Sequence, residues 1–160
     1  MTVGGLDDLY RRVILDHYQS PRHHGRLAAP DVTTQASNPL CGDEVEVSLL
    51  LKGDRIVDVA FQGQGCSISQ ASASMMTDCV KGKTLAEADE LLDTFRTMLT
   101  DRDAPELDAH ELSDLGALQG VRRYPVRVKC ALLAWNVLQA GLNLYTGATG
   151  SNAGDRGGVT

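Results

Sequence analysis

The spacing of apolar and polar residues changes several times along the chain, and each change marks an element. "LDDLYRRVILDHYQS" sets Leu6, Leu9, Tyr10, Val13, Ile14 and, at its end, His17 on one face at helical spacing, which predicts an amphipathic helix closed by Ser20-Pro21. "DVTTQASN" reads as a short strand broken by Asn38-Pro39. In "EVEVSLLL" the residues alternate, with Val45, Val47 and Leu49 on one side and Glu44, Glu46 and Ser48 on the other. "KGD" is a turn and "RIVDVAFQG" a second strand, so Glu44 to Gly63 forms a hairpin. After Gly65 and Cys66 the pattern becomes helical through "SISQASASMMTDCVKG", rich in small residues and stopped by Gly82. Thr84 and Glu87 make a capping box that opens a further helix to about Leu99. "DRDAPELDAHELSDLGALQG" is polar and broken by Pro and Gly, with room for a short helix. "YPVRVKCALLAWNVLQAGLNLY" is a long terminal helix with Pro125 in its first turn. These elements predict an α+β fold, a small three-stranded antiparallel sheet packed against several helices. Residues 1–146 are expected to form one domain, and residues 147–160 a disordered tail.

Composition narrows the function. A chain of 160 residues is long enough to bury a sizeable core. Its net charge of −6 argues against a surface built for nucleic acid. "MTVGGLDDLY" has neither the basic region nor the apolar core of a signal peptide. The most apolar stretch, "ALLAWNVLQAGLNLY", has polar interruptions and falls short of the roughly 20 residues a membrane span needs. The expectation is a soluble cytoplasmic protein that binds neither nucleic acid nor membrane.

The candidate chemistry lies in the cysteines. Cys41, Cys66, Cys79 and Cys130 contain no CxxC pair, so neither a zinc ribbon nor a thioredoxin-type motif fits, and a disulfide framework does not suit the compartment. Three of them sit at junctions: Cys41 before a strand, Cys66 at a helix start after a Gly-rich turn, and Cys130 early in the last helix. A helix N-terminus favours a thiolate at Cys66, and the basic run Arg122, Arg123, Arg127 and Lys129 favours one at Cys130. In "NPLCGDEVEV", Gly42 lets Cys41 and Asp43 aim at one spot. Three thiols and one carboxylate make the four ligands that tetrahedral zinc requires. Cys79 lies thirteen residues beyond Cys66 in one helix, about 20 Å away, and reads as a buried helix thiol. The plainer alternatives stay open at this level. Free cysteine is commonly a core residue. Aspartate after glycine is an ordinary turn residue, and a basic run is most often a solvated face. His23-His24 occupies a polar loop, and His17 and His110 read as surface or core residues.

Taken together, "LYRRVILDHYQSPRHHGRL", "NPLCGDEVEVSL", "FQGQGCSISQASASMM" and "RYPVRVKCALLAW" resemble the iron–sulfur cluster scaffold family of IscU and the N-terminal part of NifU. The likeness runs in order from about Leu6 to Tyr145 and is closest to the SufU branch. It implies a metal site of Cys41, Asp43, Cys66 and Cys130. Two departures from the scaffold branch mark SufU: Lys129 stands where scaffolds carry a histidine, and extra chain falls around Met98 to Tyr124. The branch resembles zinc-dependent sulfurtransferases that take persulfide sulfur from a SufS-type cysteine desulfurase and feed a downstream iron–sulfur assembly scaffold. The resemblance further implies a ligand exchange in which a partner histidine replaces Cys41 on zinc, freeing that thiolate to attack the persulfide. Cys41 is therefore the expected acceptor, with Arg127 assisting. A cluster scaffold using the same ligands is the alternative, against which Lys129 argues because an ammonium has no lone pair for a metal. A regulatory or structural zinc module is the third reading.

Overall fold

The computed structural model describes residues 2–39, 42–101 and 113–149. Its elements are helix α1 (Thr2–Gln19), strands β1 (Val32–Asn38), β2 (Asp43–Lys52) and β3 (Arg55–Gln64), and helices α2 (Ser67–Val80) and α3 (Leu85–Thr100). A run of 3₁₀ turns (Ser113–Arg123) and helix α4 (Pro125–Thr149) follow. The α+β expectation holds. Cys41, His110 and residues 150–160 lie outside the described residues.

The sheet is antiparallel with β2 at its centre. Alternation makes its two faces unlike: Val45, Val47, Leu49 and Leu51 of β2 are buried, while Glu44 and Leu50 are exposed. Val59 and Phe61 stand opposite Leu49 and Val47 on β3 and extend the apolar face. Helices α2 and α4 cover that face. The outer edge of β3 is closed by the segment after α1, where Gly25 N–H donates to Phe61 O at 2.7 Å and Phe61 N–H to His23 O at 3.0 Å.

Helix α2 is buried on nearly every side, from Ile68 to Thr77 without interruption. Its small residues let the neighbouring elements approach closely. Ser72 is the clearest case, because its Oγ donates to Ala131 O at 2.6 Å and accepts from Trp135 Nε1 at 3.1 Å. That hydroxyl fastens α2 to α4, and Trp135 in turn stacks on Phe95 of α3 with ring centroids 4.6 Å apart. The expected Thr84–Glu87 capping box is formed in both directions and opens α3.

The stretch expected to hold a short helix ends in the 3₁₀ run. Leu115, Leu118 and Val121 recur every third residue and are all buried, the period that brings one face of a 3₁₀ helix to the core. Helix α4 extends to Thr149, three residues past the boundary expected from sequence. Two contacts carry it that far: Tyr145 Oη donates to Gly53 O at 2.9 Å in the β2–β3 turn, and Thr146 Oγ1 donates back to Leu142 O at 3.1 Å.

Candidate metal centre

Strand parity decides where Asp43 points. It opens β2 with the parity of Val45, Val47 and Leu49, so its side chain joins the helix-covered face and is 1% exposed. Gly42 before it has φ +69 with open space around its α-carbon. A left-handed residue of this kind is what the expected turn requires, and glycine takes it without strain.

Cys66 occupies the N-cap of α2, a place more often held by Ser, Thr, Asp or Asn. Its Sγ accepts from Ser69 N–H at 3.5 Å, its carbonyl accepts from Ser69 Oγ at 3.1 Å, and its own N–H donates to Asp43 Oδ1 at 2.8 Å. The thiol also faces the other carboxylate oxygen, Oδ2, at 3.8 Å. The backbone N–H groups of a helix start and its dipole together favour a thiolate there.

Cys130 lies in the second turn of α4 and is 2% exposed. The Ser72 hydroxyl bonds the very next residue, Ala131, and so ties this part of α4 to the helix that Cys66 begins. One donor atom each from Asp43, Cys66 and Cys130 lie within 4.8 Å of one another. Tetrahedral zinc with ordinary Zn–S and Zn–O bonds separates its donors by about 3.5–3.8 Å. The arrangement fits such an ion after shifts of under an ångström or so, and the donor set of thiolates and a carboxylate suits zinc. Three of the four expected ligands are thus brought together from three elements. The fourth, Cys41, precedes Gly42 outside the described residues.

The remaining candidates are placed elsewhere. Cys79 is in the last turn of α2, half-buried, and burial pushes its thiol up to about 11, with Asp78 and Asp114 adding to the rise. None of the described cysteines is in a disulfide. Arg123, Arg127 and Lys129 are exposed beside the start of α4, as are the apolar Tyr124 and Val126. His23 reaches Asp78 at 3.7 Å and His24 stands edge-on to Phe61, and neither is among the described donors that converge. His17 is fully buried, with Nδ1 at 2.7 Å from Ser74 Oγ and Nε2 at 2.7 Å from Asp114 Oδ2. Ser74 Oγ also accepts from Arg22 N–H at 2.8 Å, so one hydroxyl of α2 ties down both His17 of α1 and the chain that follows that helix. Ser69 was not singled out from sequence. A serine three residues after an N-cap cysteine was the available signal.

Comparison with known proteins gives a concordant result. Residues 9–131 match the NifU-like N-terminal domain. The chain is 44% identical over 137 residues to the zinc-dependent sulfurtransferase SufU of Bacillus subtilis, covering 86% of this chain and 91% of that one. It is 42% identical over 139 residues to the iron–sulfur cluster assembly scaffold protein IscU of Streptococcus pyogenes, covering 87% and 86%. An iron–sulfur cluster assembly scaffold protein for the SUF system from Fervidobacterium islandicum superposes with a TM-score of 0.74 at 38% identity, covering 81% of this chain and 93% of that one. No described helix is long and apolar enough to cross a membrane.

Proposed function

We propose that this chain, which belongs to the NifU-like N-terminal domain family and is similar to iron–sulfur cluster assembly proteins, acts in that process as a zinc-dependent sulfurtransferase. It accepts persulfide sulfur from a SufS-type cysteine desulfurase and passes it to a downstream scaffold. The observation that carries the reading is the donor set. Asp43, Cys66 and Cys130 converge, while Lys129, the residue before Cys130, is exposed and offers no lone pair. A bound zinc ion holds thiolates deprotonated at neutral pH and has no redox chemistry with which to oxidise them. The B. subtilis relative is likewise a zinc-dependent sulfurtransferase.

Each residue then has a task. Asp43, Cys66 and Cys130 are set on a strand end and two helices, and with Cys41 they would hold the metal, keeping it when Cys41 is released. Cys41, two residues before Asp43 in the sequence, completes the ligand set and, once released, is the acceptor. Its thiolate attacks the outer sulfur of the donor persulfide, forming a new S–S bond as the donor's S–S bond breaks. The donor cysteine leaves as a thiolate, and the extra sulfur remains on Cys41 as a persulfide. Arg127 offsets the negative charge of the site or engages the donor. Thiols that must stay reduced to work suit a reducing compartment, and a cytoplasmic location is part of this reading.

The near-equal identity to an IscU scaffold keeps a second reading in view, cluster assembly on the same ligands. Metal analysis with a visible spectrum, before and after incubation with iron, cysteine and a desulfurase, separates the two. The sulfurtransferase reading expects about one zinc per chain and a colourless protein. It also expects the added sulfur on the Cys41 peptide by mass spectrometry, and loss of desulfurase stimulation in Cys41→Ala. A stable brown product with little zinc, or an active Cys41→Ala with the sulfur on Cys66 or Cys130, overturns it.

A further inference from the structure

We infer that Gly65 is a positioning residue of the metal centre: by lacking a side chain it leaves room for the Asp43 carboxylate to be clamped with one oxygen committed to Cys66 N–H and the other turned to the metal. The inference rests on the metal reading above and extends it to a residue that binds nothing itself.

The register between β2 and β3 supplies the first step. Val45 pairs with Gly63 and Glu44 with Gln64, so continuing the ladder by one residue sets Asp43 beside Gly65. Gly63 and Gly65 therefore share the inward parity of Val45 and Asp43. At most inward positions of this sheet a large side chain fills the space. At position 65 the space is already taken by a carboxylate. A β-carbon there would overlap Asp43 Oδ1 outright and come within 2.9 Å of both Cα and Cγ of the same residue. Gly42 and Gly25 differ, because a β-carbon on either meets nothing within 4 Å. Their backbone φ alone selects glycine, whereas Gly65, at φ +148, is constrained by its contact as well.

The clamp divides the two carboxylate oxygens. Oδ1 accepts Cys66 N–H at 2.8 Å and Oδ2 lies 3.8 Å from Cys66 Sγ, on the side where the donors converge. Cys66 thus fixes two ligands at once. Its N–H holds the carboxylate, and its own sulfur is held by Ser69 N–H. With Oδ1 engaged, Asp43 can give the metal one oxygen only, the count a four-coordinate zinc site accepts from a carboxylate. A freed carboxylate would turn to offer both oxygens or swing away. Removal of an outer partner that orients a ligand typically lowers metal affinity by roughly 10- to 100-fold.

The test is zinc affinity of the full-length Gly65→Ala protein by competition with a chromophoric chelator, beside the visible spectrum of its cobalt(II) form. Circular dichroism of the zinc-free protein establishes folding. The expected result is a folded variant with zinc affinity lowered roughly 10- to 100-fold and cobalt bands weaker than the strong ones of a four-coordinate site. Should Gly65→Ala not fold, Asp43→Glu decides. It keeps a carboxylate but moves it off the Cys66 N–H, and the same weakened bands and affinity are expected. A folded Gly65→Ala, or failing that Asp43→Glu, with wild-type affinity and spectrum overturns the inference while leaving the metal reading intact. Wild-type protein that takes up no zinc removes the metal reading and the inference together.

Discussion

Cys79 offers the sharpest check on how the cysteines divide. It lies in the same helix as Ser67, thirteen residues beyond Cys66, which amounts to about 20 Å along the axis. No rearrangement short of unwinding α2 brings it to the donor cluster. Burial, aided by Asp78 and Asp114 and opposed in part by Lys83, raises its thiol from 9.0 to about 11. At pH 8 an unperturbed thiol is then roughly one-tenth thiolate and Cys79 about one-thousandth, a hundredfold deficit in the reactive form. Alkylation with iodoacetamide at pH 8 after zinc removal, followed by peptide mass spectrometry, should therefore modify Cys79 about a hundredfold more slowly than in urea-unfolded chain. The same shift makes a stability statement. The unfolded thiol ionises from about pH 9 while the folded one stays protonated to about pH 11, so the contribution is complete below pH 9 and is lost between pH 9 and 11. Two units correspond to at most about 2–3 kcal/mol, less for a side chain partly open to water. Cys79→Ser should flatten that alkaline slope and leave zinc content unchanged. Alkylation of Cys79 at the unfolded rate, or loss of zinc in Cys79→Ser, would refute the placement.

Three further outcomes follow from the same geometry. Arg127→Ala, a change at an exposed position, should change the free energy of urea unfolding by no more than about 0.5 kcal/mol yet lower sulfur transfer at sub-saturating desulfurase; equal transfer at every concentration returns Arg127 to the solvated face. His17→Ala removes buried bonds to Ser74 and Asp114 and should cost about 2–4 kcal/mol in urea unfolding, whereas an unchanged midpoint would mean the pair contributes nothing. Chelation of zinc should lower the thermal midpoint without abolishing the native far-UV spectrum, because binding adds stability by mass action to a core already formed; wholesale unfolding would show that the metal organises the fold.

The strands were legible because period two is a strong signal when one face is buried: Val45, Val47 and Leu49 announce β2 and its inward side. The same parity, carried two residues back, places Asp43 on that side, so half of the site's geometry was present in "CGDEVEV". The capping box at Thr84 and Glu87 and the separation of Cys66 from Cys79 were legible because both depend on local helix geometry alone. The 3₁₀ run was hidden because its period of three, through Leu115, Leu118 and Val121, is short and lies among Gly and Pro. The role of His17 was hidden for a different reason. Its partners stand 57 and 97 residues away in sequence, and nothing beside a histidine reveals what a distant serine and aspartate will offer it. The roles of Gly65 and Ser69 likewise required the register of β3 against β2 and the Cys66 N-cap.

The placement of the candidate centre follows from how the layers end. A buried carboxylate is costly unless each oxygen meets a donor or a cation. Asp43 cannot escape that position, since β2 register fixes its parity and Val45 two residues on is buried in the core. What makes its burial tolerable is that β3 stops at Gln64 and the chain turns at once into α2. The backbone N–H groups of that helix start are unpaired within the helix and aim at the end of β2. One of them takes Asp43 Oδ1, the Cys66 thiol donates to Oδ2, and Ser69 N–H supports that sulfur from behind. The first two bonds join the sheet end to the helix start and the third stiffens the helix start itself, and the Ser72 bond to Ala131 draws the buried Cys130 alongside. Hydrogen bonds and apolar packing therefore gather Asp43, Cys66 and Cys130. A divalent cation held by this cluster would take the place of the thiol protons and compensate the carboxylate. Pre-assembly of this kind would let Asp43, Cys66 and Cys130 stay in place while Cys41 carries out the acceptor chemistry proposed for it.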